Sequence, residues 1–253
     1  MSGSKYTASV VLITGGGSGI GAGLASTFHQ RGARVVIAGR TRERLEAVAS
    51  KHPGMEIEVV DVADPIQVAA LAGRIGARHP SLDTLINNAG VQTLVDFAAL
   101  EPHDPLALGA EVDVNLKGLL YVTNAFLPLL RQQGAARLIN VGSGLGFVPL
   151  AAAPIYSATK AAVHSFTVSL RRQLARTSVE VVEIIPPVVE TDLHRGLARR
   201  PPRAMPLDAF VTAAMAGLDA GRPEIAVGLA NVLRIGSRVS PALFLNIVNK
   251  GDQ

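Results

Sequence analysis

The chain has 253 residues, 48% of them hydrophobic and 17% charged, with no cysteine and no tryptophan. That length suits one large domain with a well-packed interior, and the lack of cysteine excludes a disulfide framework and a thiolate metal centre. The net charge of +4 comes from scattered arginines with no interleaved aromatics, which argues against nucleic acid as a partner.

No run reaches the ~18 apolar residues of a membrane span. Met1 to Ser9 is polar and Val10 to Ile13 is too short for a signal-peptide core, so a cytoplasmic protein is expected.

Short β-branched runs alternate with helical patterns along the chain. Strands are predicted at Val10–Thr14, Arg34–Ala38, Glu56–Val60, Thr84–Ile86, Arg137–Val141, Glu180–Ile184 and Glu224–Val227. Helices are predicted at Ile20–Gln30, Arg42–Ser50, Ile66–Arg78, Leu106–Gln132, Ile155–Arg176 and Leu207–Leu218. Asp64-Pro65 reads as an N-cap followed by proline at the first helical position. Ala242 to Val248 reads as a buried or subunit-contacting helix. The alternation implies an α/β fold, a doubly wound parallel sheet of about seven strands with helices on both faces. No linker or repeat divides it, so one domain over 1–253 is expected. The segment 192–206, rich in arginine and proline, reads as a lid over the carboxyl ends of the strands, the alternative being a solvated surface loop.

The first strand runs into Gly15-Gly16-Gly17-Ser18-Gly19-Ile20-Gly21, and a helix pattern follows at once. Strand, glycine turn and helix start in that order form a cradle for a dinucleotide pyrophosphate, with Gly17, Gly19 and Gly21 nearest the phosphates. Where an NAD-binding fold carries an acid after its second strand, this chain has Arg40. A guanidinium there pairs with a 2′-phosphate, which favours NADP(H) over NAD(H). The competing reading makes Arg40 a surface arginine at a helix start; Arg42 is the better candidate for that role. Asp61-Val62 after the third strand is placed to accept a hydrogen bond from adenine, or else merely leads into a helix. Asn88-Ala89-Gly90 after the fourth strand is placed against the adenosine side.

Tyr156 and Lys160 stand four apart at a helix start and share one face. A nearby ammonium favours phenolate, so a Tyr156 pKa lowered towards neutrality is expected. Ser143 ends the fifth strand, and Asn115 lies in the long Leu106–Gln132 pattern among apolar neighbours. A buried amide there needs hydrogen-bond partners.

In these motifs and their order the chain resembles the short-chain dehydrogenase/reductase family. Three segments, 88–92, 142–149 and 183–193, look like those of the oxidoreductases encoded beside D-alanyl-lipoteichoic acid genes. The resemblance implies a tetrad of Asn115, Ser143, Tyr156 and Lys160. Ser143 would orient a substrate carbonyl, Tyr156 donate a proton, and Lys160 bind the nicotinamide ribose and depress the Tyr156 pKa. Asn115 would serve a proton relay. Pro186, Val189 and Thr191 would hold the nicotinamide, although Pro187 replaces the usual glycine. NADPH-dependent reduction of a ketone or aldehyde is expected. Gln92, Leu145, Phe147 and Val188 are the candidate substrate contacts. The lid arginines raise the alternative of an anionic substrate. A non-catalytic dinucleotide sensor is the competing reading of the fold, disfavoured by the filled tetrad. A homodimer or homotetramer packed through the two long helices is also implied.

Overall fold

The computed structural model describes residues 9–191, 193 and 204–250. Its centre is a seven-stranded sheet in the order β3-β2-β1-β4-β5-β6-β7, with every neighbouring pair parallel. The strands are β1 (Val10–Thr14), β2 (Arg34–Gly39), β3 (Glu56–Val59), β4 (Leu82–Asn87), β5 (Ala136–Val141), β6 (Val179–Ile185) and β7 (Glu224–Ala226). Strand β1 is buried along its whole length, and successive residues alternate between two cores. Val11 and Ile13 pack with Leu24, Phe28 and Phe210 on one face. Val10 and Leu12 pack with Leu71, Phe126 and Leu130 on the other. This is the period-two pattern of a strand covered on both sides, and it explains why β1 reads as a continuous apolar run.

Helices α1 (Gly19–Gln30), α2 (Arg42–Ala49) and α3 (Pro65–Arg78) follow the first three strands. Asp64 caps α3 by accepting hydrogen bonds from the N–H groups of Ile66 and Gln67 at 2.8 and 3.1 Å. Connections reverse between β1 and β4, so a crevice opens at their carboxyl ends, the usual ligand position in such sheets.

The long pattern at Leu106–Gln132 is not one regular helix. It folds as α4 (Pro105–Val112), a π-helical stretch at Asp113–Gly118, and α5 (Leu119–Arg131). Periodicity alone does not reveal a π segment, because one inserted residue shifts the apolar phase without breaking it.

Helices α6 (Pro154–Gln173) and α7 (Leu207–Asp219) match the sequence pattern closely, and two more helices, α8 (Leu229–Val239) and α9 (Pro241–Val248), follow β7. Helix α9 holds no buried residue, so the expectation of a buried helix at 242–248 is corrected. Leu229, Val232, Ile235 and Val239 of α8 and Leu243, Leu245 and Ile247 of α9 are exposed. The hairpin packs on itself through Phe244 against Gly236, leaving these residues outward. No helix among the described residues is long and apolar enough to cross a membrane.

Candidate active site

Loops after β1, β4, β5 and β6 line one cavity of about 370 Å³, a size fit for a small ligand. A second cavity of about 140 Å³ adjoins it and shares Gly15, Ser18, Arg44, Gly90 and Val91. Together they run from Arg40 and Asp61 at one end to Tyr156 and Lys160 at the other.

The glycine turn is built for close approach. Gly15 and Gly19 have positive φ, 66° and 54°, which side-chain-bearing residues rarely adopt. A Cβ on Gly21 would lie 2.3 Å from the Gly15 carbonyl oxygen. Asn88 locks the turn, since its side-chain amide donates to Thr14 O and Gly15 O at 3.0 and 3.1 Å. The Thr14 hydroxyl accepts from the Asn88 and Ala89 N–H groups. Asn88 therefore supports the turn from behind, while Gly90 lines both cavities and Ala89 the second.

Ser18 stands at the N-cap of α1 but makes no side-chain cap bond. Ser18, Gly19 and Ile20 line the larger cavity, so the first N–H groups of α1 and its positive dipole end face open space. That is the chemistry an anionic pyrophosphate needs, and the residues fit a dinucleotide. Gly17 borders the second cavity.

Arg40 is exposed and lines the second cavity beside Asp61 and Val62. Arg42 turns away and pairs with Glu46 at 3.6 Å. Arg44, in the first turn of α2, reaches both cavities and is not among the residues the sequence points to. Arg40 precedes the extended N-cap Thr41, so no helix period links it to Arg44, and only the turn between β2 and α2 brings both to the cavity. Asp61 accepts a bond from the Ala63 N–H at 3.0 Å through one carboxylate oxygen.

At the other end, the Ser143 hydroxyl accepts from Leu145 N–H at 3.1 Å and also pairs with the Tyr156 hydroxyl. Tyr156 is 6% exposed. Lys160 Nζ donates to Val141 O at 2.9 Å and lies 5.6 Å from the centre of the Tyr156 ring. Asn115 sits in the π segment and clamps Val91 from both sides. Its amide donates to Val91 O and its oxygen accepts from Val91 N–H, each at 2.8 Å. The same amide reaches Thr159 Oγ1 at 3.2 Å, tying the π segment to α6. The buried amide thus has the partners that burial demands.

Electrostatics correct one expectation. Burial pushes the Tyr156 phenol up to about 12, the Ser143 hydrogen bond pulls it down, and the Glu111 charge pushes it up further. Lys160 does not lower it here. Burial instead drives Lys160 down to about 8, against the fields of Glu183 and Glu111. In this setting desolvation outweighs the pairing that four-residue spacing suggests.

Of the substrate candidates, Gln92, Leu145 and Val188 line the cavity. Phe147 does not; it packs on the His164 ring with centroids 4.5 Å apart. The short 3₁₀ turn at Gly144–Gly146 redirects the chain before Phe147. Leu193 and Leu233 line the cavity instead, the latter from α8. Pro186, Pro187, Val189 and Thr191 line it as well, and Thr191 packs against Gly19. Most of the 192–206 segment lies outside the described residues, although its flanks pair as a bridge between Val189 and Met205.

Behind the site, His164 Nδ1 meets the fully buried Glu183 carboxylate at 2.7 Å. Glu224 adjoins them, its charge already met by Arg171 and Arg234.

A family profile described as short chain dehydrogenase matches residues 9–201. The Bacillus subtilis oxidoreductase DltE is 38% identical over 240 residues, covering 92% of this chain and 94% of its own. Among solved structures, a short-chain dehydrogenase from Burkholderia cenocepacia in complex with NADP is 32% identical with a TM-score of 0.82. It covers 95% of this chain and 97% of its own. A Sphingobium yanoikuyae short-chain dehydrogenase in complex with NADPH is 28% identical with a TM-score of 0.80, over 93% and 95% of the two chains. The parallel sheet, the glycine turn and the match over most of the sequence lead to one conclusion: the chain belongs to the short-chain dehydrogenase family of oxidoreductases.

Proposed function

We propose that the protein is an NADPH-dependent carbonyl reductase, acting reversibly as an alcohol dehydrogenase. The observation that carries this reading is the convergence of Ser143, Tyr156 and Lys160 on one cavity with the open N-terminus of α1. Asn115 clamps the loop beside it. Bound NADPH would supply a hydride, and the protein supplies binding, orientation and a proton.

Ser143 turns its hydroxyl to the substrate carbonyl oxygen and holds that oxygen beside Tyr156. Tyr156 keeps its proton at neutral pH because burial raises its pKa, so it is in the donor form that a reduction requires. The proton passes from Tyr156 Oη to the substrate oxygen as negative charge develops there. Lys160 binds the nicotinamide ribose. The α1 N-terminus and Gly15 to Gly21 hold the pyrophosphate, and Pro186, Val189 and Thr191 hold the nicotinamide end. Arg40 and Arg44 take the 2′-phosphate, which makes NADP(H) the favoured cofactor; the NADP and NADPH complexes of two similar dehydrogenases support this choice. Asp61 and Val62 flank the adenine.

The cavity wall of Leu145, Val188, Leu193 and Leu233 is aliphatic, with Gln92 as a polar contact, and suits a hydrophobic ketone or aldehyde. We place the protein in the cytoplasm as a single-domain homodimer or homotetramer. The exposed stripe on α8 and α9 is the subunit contact this reading favours over the two long helices. Light scattering after size exclusion reads the assembly.

Tyr156→Phe removes only the hydroxyl. NADPH oxidation against a panel of ketones and aldehydes is expected to fall by about 10²- to 10⁴-fold in kcat, with NADPH binding retained. A variant that reduced any panel carbonyl at the unmodified rate would remove Tyr156 from the proton-donor role.

A further inference from the structure

We propose that Asn249 is a positioning residue, the latch by which the α8–α9 hairpin braces the substrate wall between Ser143 and Tyr156. The inference rests on the reductase reading above. Asn249 lines neither cavity and acts through the segment it holds.

The hairpin meets the chain between the two catalytic side chains at both ends. At its start, Gly144 packs against α8: a Cβ added there would lie 3.1 Å from Leu233 Cδ1 and 3.4 Å from Ala230 Cα. At its far end, Asn249, the C-cap of α9, reaches the residues that lead into α6. Its side-chain oxygen accepts from the Ala151 N–H at 2.6 Å, and its amide donates to Pro149 O at 3.1 Å. The same amide donates to Leu245 O at 2.8 Å, which fixes the side chain to its own helix. Between those ends lies Leu145, which lines the cavity together with Leu233.

Helix α9 buries no residue. Phe244 against Gly236 ties it to α8, and the Asn249 bonds tie it to residues 149–151. A helix whose apolar residues face outward gains little attachment from burial, so its polar bonds decide where its end stays. Neighbouring residues of the braced segment have partners of their own. The Leu150 N–H donates to Ser157 Oγ at 3.1 Å, and the Val95 N–H donates to Ala152 O at 3.1 Å. Those bonds keep the start of α6, and Tyr156 with it, in place when the latch is cut. The wall of Leu145 and Leu233 loosens instead, so substrate binding suffers before chemistry does.

The test is Asn249→Ala, with acetophenone and acetone as carbonyl probes. KM for acetophenone is expected to rise about tenfold, on the scale of the neutral hydrogen bonds lost, while kcat stays within about twofold. Acetone is too small to fill an aliphatic wall, and its kcat/KM should stay unchanged. The NADPH dissociation constant, read by fluorescence, stays the same. Asn249→Asp keeps the acceptor for Ala151, loses the donor to Pro149 and should fall between the two. Leu233→Ala opens the same wall, so adding Asn249→Ala to it should raise the acetophenone KM by no more than about twofold further. A merely structural role would multiply the two effects and lower kcat on both ketones. An acetophenone KM within about twofold of the unmodified value, or an equal rise for acetone, would overturn the proposal.

Should that variant fail to fold, amide hydrogen exchange in the unmodified protein decides. The Ala151 N–H, held by Asn249, is expected to exchange slowly and to slow further in the NADP⁺–acetophenone complex, where no hydride is available. Exchange at the rate of an unbonded loop amide, or exchange indifferent to the ketone, would overturn it. Failure of the unmodified enzyme to reduce any carbonyl, with Ala151 still protected by Asn249, would fell the reductase reading and leave the latch standing.

Discussion

Gly21→Ala sets two physical effects against each other, and the structure decides between them. Intrinsic propensity favours alanine in a helix by about 1 kcal/mol, so α1 alone would gain from the change. The added Cβ, however, would stand 2.3 Å from Gly15 O and 2.5 Å from Asn88 Nδ2. Ordinary carbon contacts sit near 3.5–4.0 Å, so roughly 1 Å of space must open. Asn88 cannot retreat without giving up its bonds to Thr14 O and Gly15 O. Those two bonds contribute about 0.5–1.5 kcal/mol each, and overpacking adds about 1–3 kcal/mol. The net loss is about 1–5 kcal/mol, which in a domain of this size lowers Tm by roughly 10 °C at mid-range. Gly76→Ala is the control: Gly76 lies in α3 with nothing within 4 Å of its added Cβ. That change should raise Tm by roughly 2 °C through propensity alone. Differential scanning calorimetry of both variants reads the difference, and fluorescence titration reads the accompanying loss of NADPH affinity in Gly21→Ala. If Gly21→Ala melted at or above the unmodified protein, the close-packed turn described above would be wrong.

Arg40→Asp is expected to lower kcat/KM with NADPH by about 10²-fold while leaving NADH little changed, because a charge-assisted contact is replaced by repulsion of the 2′-phosphate. Arg44→Gln should weaken NADPH by about tenfold, whereas Arg42→Gln, at a residue engaged by Glu46, should do almost nothing. Equal effects at 42 and 44 would contradict the cavity lining. The hydrogen bond to Glu183 raises the His164 pKa, with burial opposing it. Stability from that pair is therefore fully present below the unfolded histidine pKa of about 6.5 and is lost as pH rises through the higher folded value. His164→Gln should flatten this part of the Tm–pH curve, and an unchanged curve would deny His164 the pairing.

Much of this site is legible in the sequence because strand ends and helix periods place its residues. The glycine turn follows β1 directly, Ser143 follows β5, and Tyr156 and Lys160 are fixed on one face by their spacing. What the sequence hides depends on packing between distant elements. Glu111 looks like a surface charge on a helical pattern until α6 covers it. The raised Tyr156 pKa follows from burial, which no local spacing encodes. Phe147 misled because a three-residue 3₁₀ turn reverses its direction. Arg44 is hidden because the extended N-cap at Thr41 breaks any helix phase between it and Arg40. Leu233 escaped because α8 was not anticipated, its exposed apolar stripe giving no sign of which side faces the sheet.

The π stretch at Asp113–Gly118 makes this region sensitive to chain length in a way that side-chain substitution does not expose. It is in effect one surplus residue stored between α4 and α5, and it sets the rotation of Glu111 relative to Asn115. Deleting any one residue there would let the turn close as ordinary α-helix and rotate α4 against α5 by the angle of one residue. The Val91 clamp and the Asn115 bond to Thr159 would then no longer be satisfied together. Single-residue deletions through 113–118 should thus abolish carbonyl reduction even at positions where alanine is tolerated, a frameshift of geometry within an intact reading frame.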